Sequence, residues 1–440
     1  MKFLALLFIL AAIPGFAFLL KSANGYRICC LLVALFPFCL NVLNLDFGLV
    51  SWAAWPGYAK GLVITILDSL ALAIIITHKR SFAGLPFIGI FSLYWLSALL
   101  SVASASVPPA AAFYAFQLMR VFVLFVAAAQ LARSKVGLTY LLYGLASVGI
   151  LEGVVTVFQR LGGEFQATGT MPHQNMLGLM LHFVTLPLFA MALRGGKGKL
   201  IPLGVASALI AVALGASRAT LGLLPLGMAL IAIGSLWRGP SPPKWRALGL
   251  GVLVVALATP LALSGIDQRL IASNLNGSDN ERAAFERAAR LMLADHPLGV
   301  GANHYVVAAN AEGYSDKAGV VWNAGSRAAQ VHNLYLLTAA ETGWPGLLAV
   351  LMLFAWPVAQ GLRLAFKRGE DWQGDLALGI TVAILIASIH SLYEWIFITY
   401  QVQYVFAIAL GCLAQLLRQK LATSDLRRLH SSPNSCTSAP

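Results

Sequence analysis

The chain has 440 residues, of which 59% are hydrophobic and only 11% charged, too few charges to cover the surface of a soluble protein. Its formal charge is +13, yet 19 of the 30 Lys and Arg lie in short polar breaks at Lys21–Arg27, Lys79–Arg80, Arg133–Lys135, Arg194–Lys199, Arg238–Arg246 and Arg363–Asp375 and in the tail from Arg418. Those segments hold only four acids (Glu370, Asp371, Asp375 and Asp425), so the excess follows the positive-inside rule, marks these loops as cytoplasmic and leaves no need for a nucleic-acid partner.

Apolar runs near 3–20, 28–45, 61–77, 84–103, 111–132, 138–158, 175–193, 200–216, 219–236, 247–264, 334–362, 376–393 and 397–417 predict an all-α polytopic membrane protein with about twelve or thirteen transmembrane helices. A run of about 20 residues crosses roughly 30 Å of hydrocarbon. The first run follows Met1-Lys2 with no small-residue cleavage site after it, so it reads as an uncleaved helix. The breaks at 46–60, 104–110, 159–174 and 265–333 then face the opposite side. The organisation is an N-terminal helix group (1–264), a large extracytoplasmic loop (265–333), a C-terminal helix group (334–418) and a cytoplasmic tail (419–440). No internal repeat is visible, which counts against an inverted-repeat transporter. Five cysteines form neither a disulfide framework nor a CxxC pattern.

The large loop is nearly neutral, with six basic and seven acidic side chains. Ser278-Asp279-Asn280-Glu281 matches a capping box and predicts a helix opening there, ended by Pro297. Phe285, Ala288, Ala289 and Met292 at 3–4 spacing give it an apolar face; Arg282, Glu286 and Arg290 give it a polar one. Gly299-Val300-Gly301-Ala302-Asn303 reads as a turn.

Ionisable groups at membrane depth are costly and mark function. Here they are Asp68, Arg120, Glu152, Arg160, Arg218, Glu341 and Glu394. Arg160 and Arg218 stand at helix ends toward the face carrying the large loop. A guanidinium keeps its charge and donates a bidentate fork, so converging arginines fit a phosphate-bearing ligand; the bland alternative is snorkelling to headgroups. His332, in Gln330-Val331-His332-Asn333-Leu334, sits where the loop re-enters the membrane, and a neutral imidazole there can take a proton from a hydroxyl; its bland alternative is a helix cap. Glu341 is the rival base, about two and a half turns deeper in the helix. His173 and Asn175 line the opposing short loop or form a turn. The chain has no Asp-x-Asp, HExxH, GxxxxGK[ST] or GxSxG, so no metal, cofactor or nucleotide is expected.

At these residues the chain resembles the O-antigen ligases and the related O-antigen polymerases. Ser217-Arg218 looks like the family's Ser-Arg at a helix end. Arg282 followed by Asp295-His296-Pro297-Leu298-Gly299-Val300-Gly301, then His332-Asn333-Leu334-Tyr335-Leu336, then Glu341-Thr342-Gly343 and Gly346-Leu347-Leu348, continue the pattern in order. One departure is that Phe285 or Glu286 stands where the family often has Trp. The resemblance implies a GT-C-like, metal-independent, inverting glycosyltransferase of the bacterial inner membrane with a periplasmic active site. Its donor would be undecaprenyl-diphosphate-linked O-antigen and its acceptor lipid A–core oligosaccharide. In that scheme His332 is the general base. Arg218 and Arg282 bind the donor diphosphate, with Arg160 and Arg120 as further candidates. His173, Asn175, Arg290, Asn333 and Glu341 are candidates to line the site. The alternatives are an O-antigen polymerase, a protein O-oligosaccharyltransferase, or a transporter of lipid-linked sugars that holds the diphosphate with the same arginines but needs no base.

Overall fold

Apolar length sets the architecture, and short caps and breaks set where each helix starts. The computed structural model describes residues 2–431 apart from 79–81, 196–197, 247, 250, 254–255, 257–274 and 369–370; the side chains of 2–5, 275–279 and 421–431 are also outside the description. The helices before the large loop include α1 (Lys2–Leu19), α2 (Ala23–Cys39), α3 (Ile66–Thr77), α4 (Ile88–Leu100), α5 (Pro108–Leu131), α6 (Lys135–Leu161), α7 (Gln174–Leu193), α8 (Leu200–Gly215) and α9 (Arg218–Trp237). The loop carries α10 (Leu275–Asp295), α11 (Tyr305–Ala311) and single turns at Tyr314–Lys317 and Ala324–Arg327. Then follow α12 (Leu334–Lys367), α13 (Trp372–His390) and α14 (Tyr400–Ser431).

Among the described residues seven helices (α5, α6, α7, α9, α12, α13 and the Tyr400–Lys420 part of α14) are long and apolar enough to cross a membrane. Five shorter apolar helices, in α1–α4 and α8, accompany them, so seven helices of spanning length stand among the described residues where about twelve were expected. The expected helix at 247–264 falls mostly outside the described residues. In each of α7 and α14, 89% of the apolar window is buried, which makes these two the centre of the bundle. Around them, large apolar side chains face outward, among them Phe18 (74% exposed), Phe158 (69%) and Trp237 (81%). Such a surface suits lipid rather than water, and the chain is a multi-pass membrane protein.

The all-α expectation needs one correction. The 61–77 run divides into a strand, β2 (Gly61–Thr65), and α3; β2 pairs antiparallel with β1 (Asp46–Ser51), with a bulge between Gly48 and Val50. The switch is local chemistry. Val63, Ile64 and Thr65 are β-branched, and Thr65 and Asp68 form a reciprocal capping box that starts α3. Likewise α2 begins at Ala23, five residues before the apolar run, because the Ser22 side chain accepts from the Gly25 amide. In the large loop α10 begins at Leu275, so Ser278 lies inside the helix; the proposed cap there falls on side chains outside the described residues. The apolar stripe of α10 is as expected, with Phe285, Ala288, Ala289 and Met292 all buried.

The two ends of the bundle are fastened differently. At the basic end Arg194 and Arg238 both pair with Asp375, and Gln419 Nε2 donates to the Arg133 carbonyl at 2.9 Å. At the loop end Asn303 donates to the carbonyls of Ala59 (2.7 Å) and Ala110 (2.9 Å), and the Val107 amide donates to His304 Nε2 (3.1 Å).

Candidate active site

Two breaks in the chain build the site. The first is the Gly215–Arg218 corner. Ala216 takes a left-handed conformation (φ 49°, ψ 31°), ending α8 so that Ser217 can cap α9 and Arg218 becomes its first residue. The Ser217 hydroxyl makes no capping bond to the helix, so the first-turn amides of α9 lack intrahelical partners and carry the positive end of the helix dipole. The Arg218 guanidinium, exposed at this end, has no partner among the described residues.

The second break is the entry to α12. The Asn333 side chain accepts from the amides of Tyr335 (3.0 Å) and Leu336 (3.1 Å), and the Leu334 amide donates to the Ser391 carbonyl (2.9 Å). Asn333 is thus a helix cap whose geometry holds the preceding residue, His332, at the rim of the 391–399 segment. There His332 Nδ1 lies 3.2 Å from Glu394 Oε2. A carboxylate can only accept, so Nδ1 carries a proton, and in the neutral imidazole Nε2 is then the nitrogen with the lone pair. Glu394 also accepts from Asn175 Nδ2 (2.6 Å) and stands 3.9 Å from Arg282 Nη2. Burial pushes the Glu394 carboxyl up, but the His332 hydrogen bond and nearby positive charge, Arg282 among it, outweigh it and hold the group below its ordinary 4.5.

Arg218, Arg282, Asn175, Ser217, Tyr393 and Glu394 line one open cavity of about 460 Å³. Arg282 spans it from α10, 38% exposed, and among the described residues it makes only the long Glu394 contact, which leaves most of its donors for a ligand. The cavity therefore joins two guanidiniums and a helix N-terminus, which attract an anion, to the Glu394 carboxylate, behind which His332 stands as a group that can accept a proton.

The other expected residues lie elsewhere. Arg120 is buried against Asp68 at 2.8 Å, with the Tyr404 hydroxyl on the same carboxylate, and it ties α5 to α3 and α14. Arg160 donates to the Phe165 carbonyl (2.9 Å) and faces the 162–173 loop. Arg290 pairs with Glu286 on the outer face of α10. His173 caps α7 through the Asn175 amide. Glu341 is 2% exposed and saturated: it accepts from the Tyr58 hydroxyl (2.6 Å) and the amides of Asn303 (2.8 Å) and Tyr305 (2.9 Å). It is a scaffold group, not a lining one. Glu394, by contrast, sat only among the intramembrane ionisable residues in the sequence; its signal was a carboxylate stranded between two apolar runs.

The Glu341 scaffold also explains the glycines around it. At Gly343 the helix breaks (φ 65°, ψ −164°), freeing carbonyls that the 297–301 turn uses. The Val300 amide donates to Ala340 O (3.0 Å), Gly301 to Glu341 O (2.9 Å) and Trp344 to Pro297 O (3.0 Å). The Pro-Leu-Gly-Val-Gly turn and the Glu-Thr-Gly kink are thus two halves of one joint, which sets where α10, and with it Arg282, sits over the bundle.

Residues 203–351, which span Arg218, Arg282, this joint and His332, match the family model described as O-antigen ligase. Over this segment the chain is similar to the O-antigen ligases. No curated protein matches the chain. Within the matched segment fall both cavity arginines and the imidazole, whereas Asn175 and Glu394 are contributed from outside it.

Proposed function

We propose that the chain is a GT-C-like, metal-independent glycosyltransferase of the bacterial inner membrane, moving O-antigen polysaccharide from undecaprenyl diphosphate to lipid A–core oligosaccharide. The convergence of Arg218, Arg282 and the α9 N-terminus on one cavity beside the His332–Glu394 pair carries this reading. The two guanidiniums and the helix end hold the donor diphosphate and take up the charge that develops as it leaves. His332 Nε2 removes the proton from the acceptor hydroxyl as that oxygen attacks the anomeric carbon. The C1–O bond to the diphosphate breaks on the opposite face, so the new linkage is inverted. Glu394 holds the imidazole in the tautomer this needs and steadies the imidazolium, acting as a positioning residue.

The charge asymmetry assigns the basic end to the cytoplasm and residues 265–333 to the periplasm. In a cysteine-free background, Ala324→Cys should react with an impermeant thiol reagent from outside and Lys199→Cys should not. Labelling of both in intact cells would overturn this orientation.

The arginines test the diphosphate assignment. Arg282→Ala should lower transfer about tenfold or more at limiting donor, the expected loss for a charge-assisted phosphate contact of roughly 1.5–3 kcal/mol. Arg218→Lys should also be impaired, because lysine keeps the charge and loses the fork. Transfer should survive EDTA. Wild-type transfer by a well-expressed Arg282→Ala protein would remove Arg282 from the site.

A further inference from the structure

A second cavity, of about 660 Å³, opens at the basic end, where the α1–α2 turn, the end of α3 and the α5–α6 turn meet. It touches Val136 at the start of the 27-residue α6 and shares no lining residue with the Arg218–Arg282 cavity. It therefore belongs to no part of the proposed transfer site.

Its lining is one-sided in charge. Lys21, Arg27, Arg133 and His78 contribute to it, and no carboxylate does. His78 Nδ1 donates to the Ile74 carbonyl (3.2 Å), which leaves its Nε2 for another partner. Tyr26 packs at a tilt against the His78 ring and donates to the Leu131 carbonyl, so the wall is built rather than a scatter of mobile side chains. Two helices, α2 and α6, begin at the cavity, adding their positive ends. Gln130 in this lining is only 6% exposed, and its Oε1 has no partner among the described residues. A buried amide without a partner is costly. Because its two ends exchange by rotation, it can accept from a hydroxyl or donate to a phosphate oxygen.

We propose that this cavity binds a phosphate-bearing anion, with the headgroup of an anionic phospholipid as its natural source. Cations and helix ends take the phosphodiester, and Gln130 takes a headgroup hydroxyl. Exposed apolar side chains flank the mouth, among them Phe18 (74% exposed), Ile28 (47%) and Val136 (43%), and give acyl chains a surface to follow. A leaflet rich in anionic lipid supplies such a ligand at the basic end of a membrane protein.

The test is native mass spectrometry of delipidated, full-length protein offered phosphatidylglycerol, phosphatidylcholine or inorganic phosphate. Lys21→Gln/Arg27→Gln is compared with Arg363→Gln/Lys367→Gln, which removes two charges from another basic loop. The wild type should hold phosphatidylglycerol in preference to phosphatidylcholine, and the first variant should lose it by about tenfold or more while the second keeps it. Loss of inorganic phosphate instead, with no lipid adduct in either protein, would support the site and name a soluble anion as its ligand. Equal retention of both probes by Lys21→Gln/Arg27→Gln and wild type, or equal loss by both variants, overturns the proposal. Should the double variant not elute as wild type, the exposed Lys21→Gln alone carries the comparison.

Discussion

Replacing Glu394 by glutamine is expected to lower glycan transfer by about a hundredfold or more, the lower end of what a general base contributes. The substitution keeps size and burial but not valence. Glu394 faces two donors, Asn175 Nδ2 at Oε1 and His332 Nδ1 at Oε2. Glutamine has one acceptor oxygen, so its NH₂ must meet one of those donors head-on. Either the imidazole turns to the wrong tautomer or Asn175 loses its partner. His332→Ala should fall at least as far, while binding lipid-linked donor nearly as well as wild type. Because the two residues act as one unit, the double variant should be little worse than the worse single. Single-turnover transfer, measured apart from donor affinity, checks all three. Transfer within a few-fold of wild type in Glu394→Gln would reduce the pair to a structural contact. The pH dependence follows from the depressed carboxyl. Ties that need ionised Glu394 are fully present at neutral pH and above its ordinary 4.5, and are lost only as pH falls through the lower folded value.

Gly343→Ala is expected to cost about 2–6 kcal/mol, the sum of backbone strain and overpacking. At φ 65° and ψ −164° the backbone lies in a region that glycine alone tolerates. A Cβ there would also run into the Pro297 carbonyl and the Leu298 backbone, neither of which can move without breaking the joint. The variant should express poorly or unfold at a markedly lower temperature in detergent. Gly313→Ala is the control: its φ of 76° is equally positive, but a Cβ there meets nothing within 4 Å, so only strain remains. Equal thermal stability of Gly343→Ala and wild type would contradict the joint.

Much of this was legible in the sequence because it is local. Apolar runs gave most helices, the stripe Phe285–Met292 gave the buried face of α10, and the Gly-Ala-Ser-Arg corner and His-Asn step pointed to Arg218 and His332. What failed was pairing across distance. Glu394 lies 62 residues from His332, and no spacing rule joins a residue between two apolar runs to one at a loop end. Arg120 and Glu341 looked available because their partners, Asp68 and the 303–305 amides, come from other elements. The ribbon at 46–65 was hidden because a β-branched strand fused to a helix reads as one apolar run.

The central claim is transfer from a lipid diphosphate to a separate glycolipid acceptor at the Arg218–Arg282–Glu394 cavity, with His332 beside it. Purified protein in proteoliposomes, given undecaprenyl-diphosphate-linked O-antigen and lipid A–core with EDTA present, tests it most directly. The account predicts O-antigen covalently joined to lipid A–core, undecaprenyl diphosphate released in equal amount, and no product from His332→Ala. Donor moved across the bilayer without a new glycosidic bond, or glycan lengthened on undecaprenyl diphosphate while lipid A–core stays bare, would contradict it.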